Sequence, residues 1–166
     1  VMADQNGINE RQRELFIRKS TRVAASYLKR AKELSELPDA AKPFFDVLEN
    51  TYVKLADIQK PEDRKSIGTL CVMVPAELVY AAGAMPVRLC SGSYTAYSIG
   101  DDYIPRDACP LVKAVMGFGK IKALPAFDNC SLLVAPVTCD CKKKLAGTID
   151  SVKDTIPLHI PPLKKD

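Results

Sequence analysis

Histidine is nearly missing: His159 is the only one in 166 residues. It lies in a short apolar segment near the end, far from any strand-to-helix junction, so a Cys/His nucleophile pair has poor support. The same scarcity works against zinc, which wants four closely placed nitrogen or sulfur ligands in a tetrahedral site. Six cysteines are present, but the tight C-x-x-C spacing of zinc fingers and ferredoxins is not. Long apolar runs are missing as well. Pro75, Glu77, Arg88 and Asp101 interrupt the most apolar stretch well before the roughly 20 residues of a bilayer span, so no membrane insertion is expected. The opening Val1-Met2-Ala3-Asp4-Gln5 carries no basic region followed by an apolar one, so no secretory signal is read and a cytoplasmic location is expected. A net charge of +4 is spread over both halves, with small clusters at Lys142 to Lys144 and at Lys164-Lys165. No basic face interleaved with aromatics accompanies it, which argues against nucleic acid as a partner.

What is present is a globular balance, 47% hydrophobic and 27% charged, enough for a packed core. From about residue 9 to 34, Phe16, Val23, Tyr27, Leu28 and Leu34 recur at helical intervals among Arg, Lys and Glu, which predicts an amphipathic helix. Ser35-Glu36-Leu37-Pro38 supplies a cap and an early proline for a second helix, whose stripe of Phe44, Phe45, Leu48, Tyr52, Leu55 and Ile58 runs until Pro61. The character changes after the polar linker 59–65. Ile67 to Val74 is a continuous apolar run, the mark of a strand buried on both faces. A helix opening at Pro75-Ala76-Glu77-Leu78 and closed by Gly83 follows, then a strand over 85–90 and a polar loop. A further helix starts near Cys109-Pro110 and ends at Gly117 or Gly119; a strand over 131–137, a helix over 140–152 and a last strand over 156–160 complete the chain. The alternation predicts a helical arm over 1–60 and, over 61–166, an α/β lobe with a parallel, Rossmann- or flavodoxin-like sheet of about four strands.

In such a sheet ligands bind beyond the carboxyl ends of the strands. Cys90 ends the second strand, Cys109 stands directly before Pro110 at a helix start, and Cys139 follows the third strand at another helix start. A helix N-terminus favours the thiolate, the form that ligates metal. In a reducing compartment, cysteines of this kind are metal ligands, reactive thiols or small core residues. Cys71, inside the first strand, and Cys130, at the entry of the third, are read as core residues. Cys141 is one place from Cys139 and need not point the same way. Glu77 in a first helical turn is explained by the helix dipole. Lys142 to Lys144 read as a solvated helix face. Gly117-Phe118-Gly119-Lys120 lacks P-loop spacing and follows a helix, so it reads as a C-cap.

Several phrases occur in a fixed order: Gly68-Thr69-Leu70-Cys71, Pro75-Ala76-Glu77-Leu78, Ala81-Ala82-Gly83-Ala84, Leu89-Cys90-Ser91, Pro105-Arg106-Asp107-Ala108-Cys109-Pro110-Leu111-Val112-Lys113, Gly117-Phe118-Gly119-Lys120 and Thr138-Cys139-Asp140. Together, over about 66–145, they resemble the D-component family of 2-hydroxyacyl-CoA dehydratases, with the related benzoyl-CoA reductase subunits and double-cubane-cluster proteins. The resemblance implies an anaerobic lyase or related reductase that works as a homo- or heterodimer of like subunits. It would carry a [4Fe–4S] or double-cubane iron–sulfur cluster and receive electrons from an ATP-dependent iron–sulfur activator. The acyl-CoA substrate would lose its hydroxyl through a ketyl radical. Cys109 and Cys139 are the ligands the resemblance carries over, with Cys90 third. Two departures stand against it: Cys141 occupies a place commonly held by glycine, and family members are longer, with further ligands on a C-terminal lobe that is expected to be absent here. The rival readings are a truncated, non-catalytic lobe serving as scaffold or subunit partner, and a thiol-redox or zinc module built on Cys139 and Cys141.

Overall fold

The computed structural model describes residues 10–34, 36–55, 64–90 and 92–161. The backbone forms two compact units, Val1–Ile58 and Gln59–Asp166. In the first, helix α1 spans Glu10–Lys32, with Phe16 its one buried residue and Lys29, Arg30 and Lys32 in the last turn, where cations suit the helix dipole. A 3-10 turn at Asp39–Ala41 leads into helix α2, Lys42–Leu48, with a proline near its start, and the chain continues as a π-helical turn over Glu49–Val53. The expected second helix is therefore broken into three helical forms, and its anticipated cap at Ser35 and its end beyond Leu55 lie outside the described residues. Lys32 donates to Glu49 at 2.7 Å and ties α1 to the π turn.

The second unit alternates strand and helix. Strand β1 is Ser66–Thr69, helix α3 Ala76–Ala81, β2 Met85–Arg88, α4 Tyr94–Gly100, α5 Pro110–Ile121, α6 Pro125–Asp128, β3 Leu132–Pro136, α7 Asp140–Ile149 and β4 Thr155–Leu158. All pairings are parallel and the order is β2-β1-β3-β4. That is the flavodoxin-like doubly wound order, in which the chain reverses its direction of winding between β1 and β3. The expected parallel sheet of about four strands is present. Gly83 takes φ 74° directly after α3, as its place at the helix end requires.

The core is organised around α5. Val112, Ala114, Val115, Met116, Phe118 and Ile121 are all buried, joined by Phe127, Leu133, Leu145 and Ile149. A helix apolar on nearly every side must be covered on every side, and α4 supplies one of the covers. The contact is backbone to backbone. A Cβ on Gly100 would stand 1.8 Å from the Lys113 carbonyl oxygen, and one on Gly117 would stand 1.9 Å from that of Ala96. Gly117 is thus a packing residue inside α5, not the expected C-cap. The helix runs on to Ile121 and is ended by Lys122 in the left-handed region, φ 51°.

Three further elements depart from the sequence expectation. The polar stretch after Cys90 contains α4, capped by Ser93, whose hydroxyl accepts from the Ala96 amide at 3.3 Å. Its small buried face of Thr95, Ala96 and Gly100 carries no large apolar signal. The short helix α6 falls where the sequence pattern suggests only a connection. Strand β1 ends at Thr69 rather than Val74: β2 ends opposite it at Arg88, and although β3 runs on to Pro136, the chain makes one more bond to it, from the Leu70 amide to the Val134 carbonyl at 3.1 Å, and then turns away. The remaining apolar run, Leu70 to Val74, makes a turn that leaves Val72 and Met73 exposed.

Candidate functional site

The early end of β1 decides what stands beyond the sheet. The chain leaves β1 and reaches Cys71 two residues later; it leaves β2 and reaches Cys90 two residues later; it leaves β3 and reaches Cys139 three residues later. These strands are neighbours in the order β2-β1-β3, so all three thiols emerge at the same edge of the sheet. Cys109 arrives from another direction, as the residue on which α5 begins. The four cysteines line one cavity of about 180 Å³, walled by Leu70, Leu111, Val112, Val115, Ala135, Pro136 and Leu145, with Lys142 as a cation on its lining. A single water needs only about 10–15 Å³ by such a measure, so the space is larger than one ion requires.

Cys109 and Cys139 are the N-cap residues of α5 and α7, and neither caps its helix through its side chain. Both sulfurs are left to other partners. Each is exposed, as is Cys90, whose thiol donates to the Leu70 carbonyl at 3.0 Å. Burial, together with the nearby Cys71, pushes the Cys90 thiol above its ordinary range against the pull of Arg88 and Lys142.

Cys71 behaves in the opposite way. Burial alone would raise it, but the amide of Met73, the ammonium of Lys142 and the amide of Val72 together bring the thiol below its ordinary range. Lys142 Nζ lies 3.2 Å from Cys71 Sγ and 3.1 Å from Thr138 Oγ1. The reading of Cys71 as a core residue of a strand is corrected: it sits in the turn after β1, half-buried, on the cavity. Lys142 is corrected too, since only Lys143 and Lys144 are on the exposed face. Cys130 is buried, as expected, and Cys141 is half-buried and does not line the cavity. Glu77 and His159 are exposed and line none of it.

Sequence reasoning missed Cys71 and Lys142 on this cavity. The end of β1 at Thr69 puts Cys71 in the crevice beside Cys90 and Cys139, and the apolar run itself does not mark that end. Lys142, three residues after Cys139, falls in the first turn of α7 and on the same side.

The loop before Cys109 is fixed by a buried cation. Lys113, with no exposed surface, reaches from α5 to the Asp101 carboxylate at 2.5 Å and to the Arg106 carbonyl at 2.7 Å, with its ammonium 5.1 Å from the centre of the Tyr97 ring. The hydrogen bond to Asp101 holds the ammonium above the ordinary lysine range, with the charge of Asp101 and Tyr97 acting the same way and burial against it.

Among the described residues, no three His, Cys, Asp or Glu side chains converge as the ligands of a single metal ion would. The thiols surround the cavity without meeting at a point. No helix among the described residues is long and apolar enough to cross a membrane.

Comparison with known proteins gives a consistent result. Residues 71–166 match the family described as 2-hydroxyglutaryl-CoA dehydratase, D-component. The chain is 32% identical over 133 residues to the putative dehydratase subunit YjiM of Escherichia coli strain K12, a match covering 80% of this chain and 34% of that protein. It is 27% identical over 101 residues to the lactoyl-CoA dehydratase subunit beta of Anaerotignum propionicum, covering 61% of this chain and 26% of that protein. The chain therefore spans about a third or less of the length of these relatives.

Proposed function

Because the chain belongs to the 2-hydroxyglutaryl-CoA dehydratase D-component family, we propose that it is the cluster-holding lobe of an iron–sulfur component for 2-hydroxyacyl-CoA dehydration or a related reduction. The observation that carries this reading is the cavity on which Cys90, Cys109 and Cys139 stand together. Thiolate sulfur is the donor that iron–sulfur clusters take, and a cluster spreads its ligands over several irons, so thiols set around a cavity suit it better than they suit one ion. The donor set fits the group in kind. Cys109 and Cys139 would hold it from two helix N-termini, and Cys90 would add a third sulfur. When bound, a [4Fe–4S] or double-cubane cluster would supply a low-potential electron for reduction of an acyl-CoA.

The protein's own contribution is positional and electrostatic. Leu70, Leu111, Val112, Val115 and Leu145 give the cavity an apolar wall beside the sulfurs. Lys142 places a positive charge where the thiolates gather, and Lys113 ties the loop leading into Cys109 to the frame of α4 and α5. On this reading a like subunit completes the enzyme in the cytoplasm, and an ATP-dependent iron–sulfur activator delivers the electrons. The named role of the lactoyl-CoA dehydratase relative as a subunit supports the first of these partners.

The test is anaerobic reconstitution of the chain with iron and sulfide, followed by iron and acid-labile sulfide analysis and an absorption spectrum. Wild type is expected to hold both elements, and Cys109→Ala and Cys139→Ala each to lose most of them. A wild-type chain that holds no iron would overturn the reading and leave a scaffold or subunit-docking role.

A further inference from the structure

We infer that Tyr94 and Tyr97 form a stacking shelf for an aromatic ring on the acyl group of the substrate, so that this chain prefers aryl over alkyl acyl thioesters. The inference rests on the acyl-CoA reading above and deepens it. Its first support is the surface itself. The two rings stand three residues apart on α4, stacked with centroids 5.8 Å apart and planes inclined by 18°. Tyr97 is half-buried, and the buried Lys113 ammonium lies 5.1 Å from its ring centre, which anchors one member of the pair to the core. Tyr94 is 82% exposed. A tyrosine stacked on an anchored neighbour is held in place while most of its own ring stays open to a ligand.

The second support is place. With Gly92, Ser93, Pro110 and Leu111, the two rings line a cavity of about 370 Å³, inside the usual range for small-molecule sites, about 300–1,000 Å³. Pro110 and Leu111 directly follow Cys109, and Gly92 comes two residues after Cys90. Leu111 also lines the sulfur cavity, so the two spaces share a wall.

The third support is the character of the lining. None of its six described residues carries a charge. A nucleotide brings phosphates, which are recognised by cationic donors; an uncharged planar ring suits walls of tyrosine, proline and leucine. Connectivity points the same way. In an acyl-CoA the side chain of the acyl group reaches the thioester carbonyl through a few carbon atoms, whereas the adenine lies beyond the pantetheine arm and the diphosphate. The group that can sit one leucine away from the sulfur cavity is therefore the acyl side chain. Ring-on-ring contact adds to apolar burial for an aryl group and adds nothing for an alkyl group of equal size.

The experiment is calorimetric titration of the reduced, metal-free chain with 3-phenylpropionyl-CoA, 3-cyclohexylpropionyl-CoA and acetyl-CoA. Wild type is expected to bind the phenyl compound on the order of fivefold more tightly than the cyclohexyl one, the ratio an aromatic pair contact supplies. Tyr94→Ala, checked for fold by circular dichroism, should abolish that difference, and Tyr94→Phe should keep it. Equal binding of the two compounds by wild type, or a preference that survives in Tyr94→Ala, overturns the inference. So does acetyl-CoA binding as tightly as the phenyl compound and failing in Tyr94→Ala, which would put adenine on the shelf, and so does the absence of binding by all three. No iron takes part, so the two readings fail separately. An aryl preference in a chain that never loads iron leaves the shelf standing without the cluster, and iron loading without an aryl preference leaves the cluster standing without the shelf.

Discussion

Two glycines inside helices of this protein should respond to the same substitution with opposite signs. Gly117 lies in α5 against α4, and a methyl group there would stand 1.9 Å from the Ala96 carbonyl oxygen and 2.8 Å from its carbon. Both are backbone atoms and cannot rotate away. Restoring an ordinary contact of about 3.5 Å means parting the helices by roughly 1.6 Å, and overpacking of this sort costs about 3 kcal/mol at the upper end of its usual range. Alanine in a helix interior returns about 1 kcal/mol over glycine, leaving Gly117→Ala less stable by about 2 kcal/mol. For a unit of this size that is a fall of roughly 8–16 °C in unfolding midpoint. Gly147 in α7 is exposed, with nothing within 4 Å of where a methyl would stand, so Gly147→Ala keeps only the propensity gain, about 0.5–1 kcal/mol. The assay is thermal and urea unfolding of the reduced metal-free chain by circular dichroism and tyrosine emission; the chain has no tryptophan, and Tyr94 and Tyr97 sit on α4 itself. A Gly117→Ala protein as stable as wild type would refute the close approach of α4 and α5.

Thiol chemistry should separate two cavity cysteines by pH in the metal-free chain: alkylation of Cys71 should reach half-maximal rate at a lower pH than that of Cys90, and Lys142→Met should move the Cys71 midpoint upward while the Cys90 profile moves less. Equal profiles in wild type would sink the assigned Lys142 contact. Lys113 has its folded-state pKa raised, so its stabilisation is fully present below the unfolded lysine value of about 10.4 and is lost as pH climbs through the folded one. Urea midpoints should therefore fall in that alkaline window for wild type, and Lys113→Met, less stable at neutral pH, should lack this component of the fall. At Gly83, where φ is 74° and nothing crowds the Cβ position, alanine should cost about 1–2 kcal/mol through backbone strain alone; no change in unfolding midpoint would show the helix end to be otherwise built.

The sulfur positions illustrate how far the chain could be read in one dimension. Cys90 and Cys139 were assignable because each follows a short apolar strand directly, and Cys109 because Pro110 announces a helix start. Cys71 was hidden by its own surroundings: Ile67 to Val74 is apolar throughout, and an apolar run does not say where pairing stops. Lys142 was hidden by its neighbours, since three consecutive lysines look alike until a helix turns one of them inward.

The sequence by itself determined the class of the fold and the parallel sheet, because strand-long apolar runs alternating with amphipathic helices leave one economical way to bury both faces. It also singled out three of the four thiols that line the cavity, Cys90, Cys109 and Cys139. Tertiary structure alone decided the length of β1, which ends opposite the last residue of β2. It decided the role of Gly117, which is set by a carbonyl on another helix. It decided the pairing of Lys142 with Cys71, 71 positions apart. Each of these is a relation between residues distant in the chain, and local pattern holds no record of distance in space.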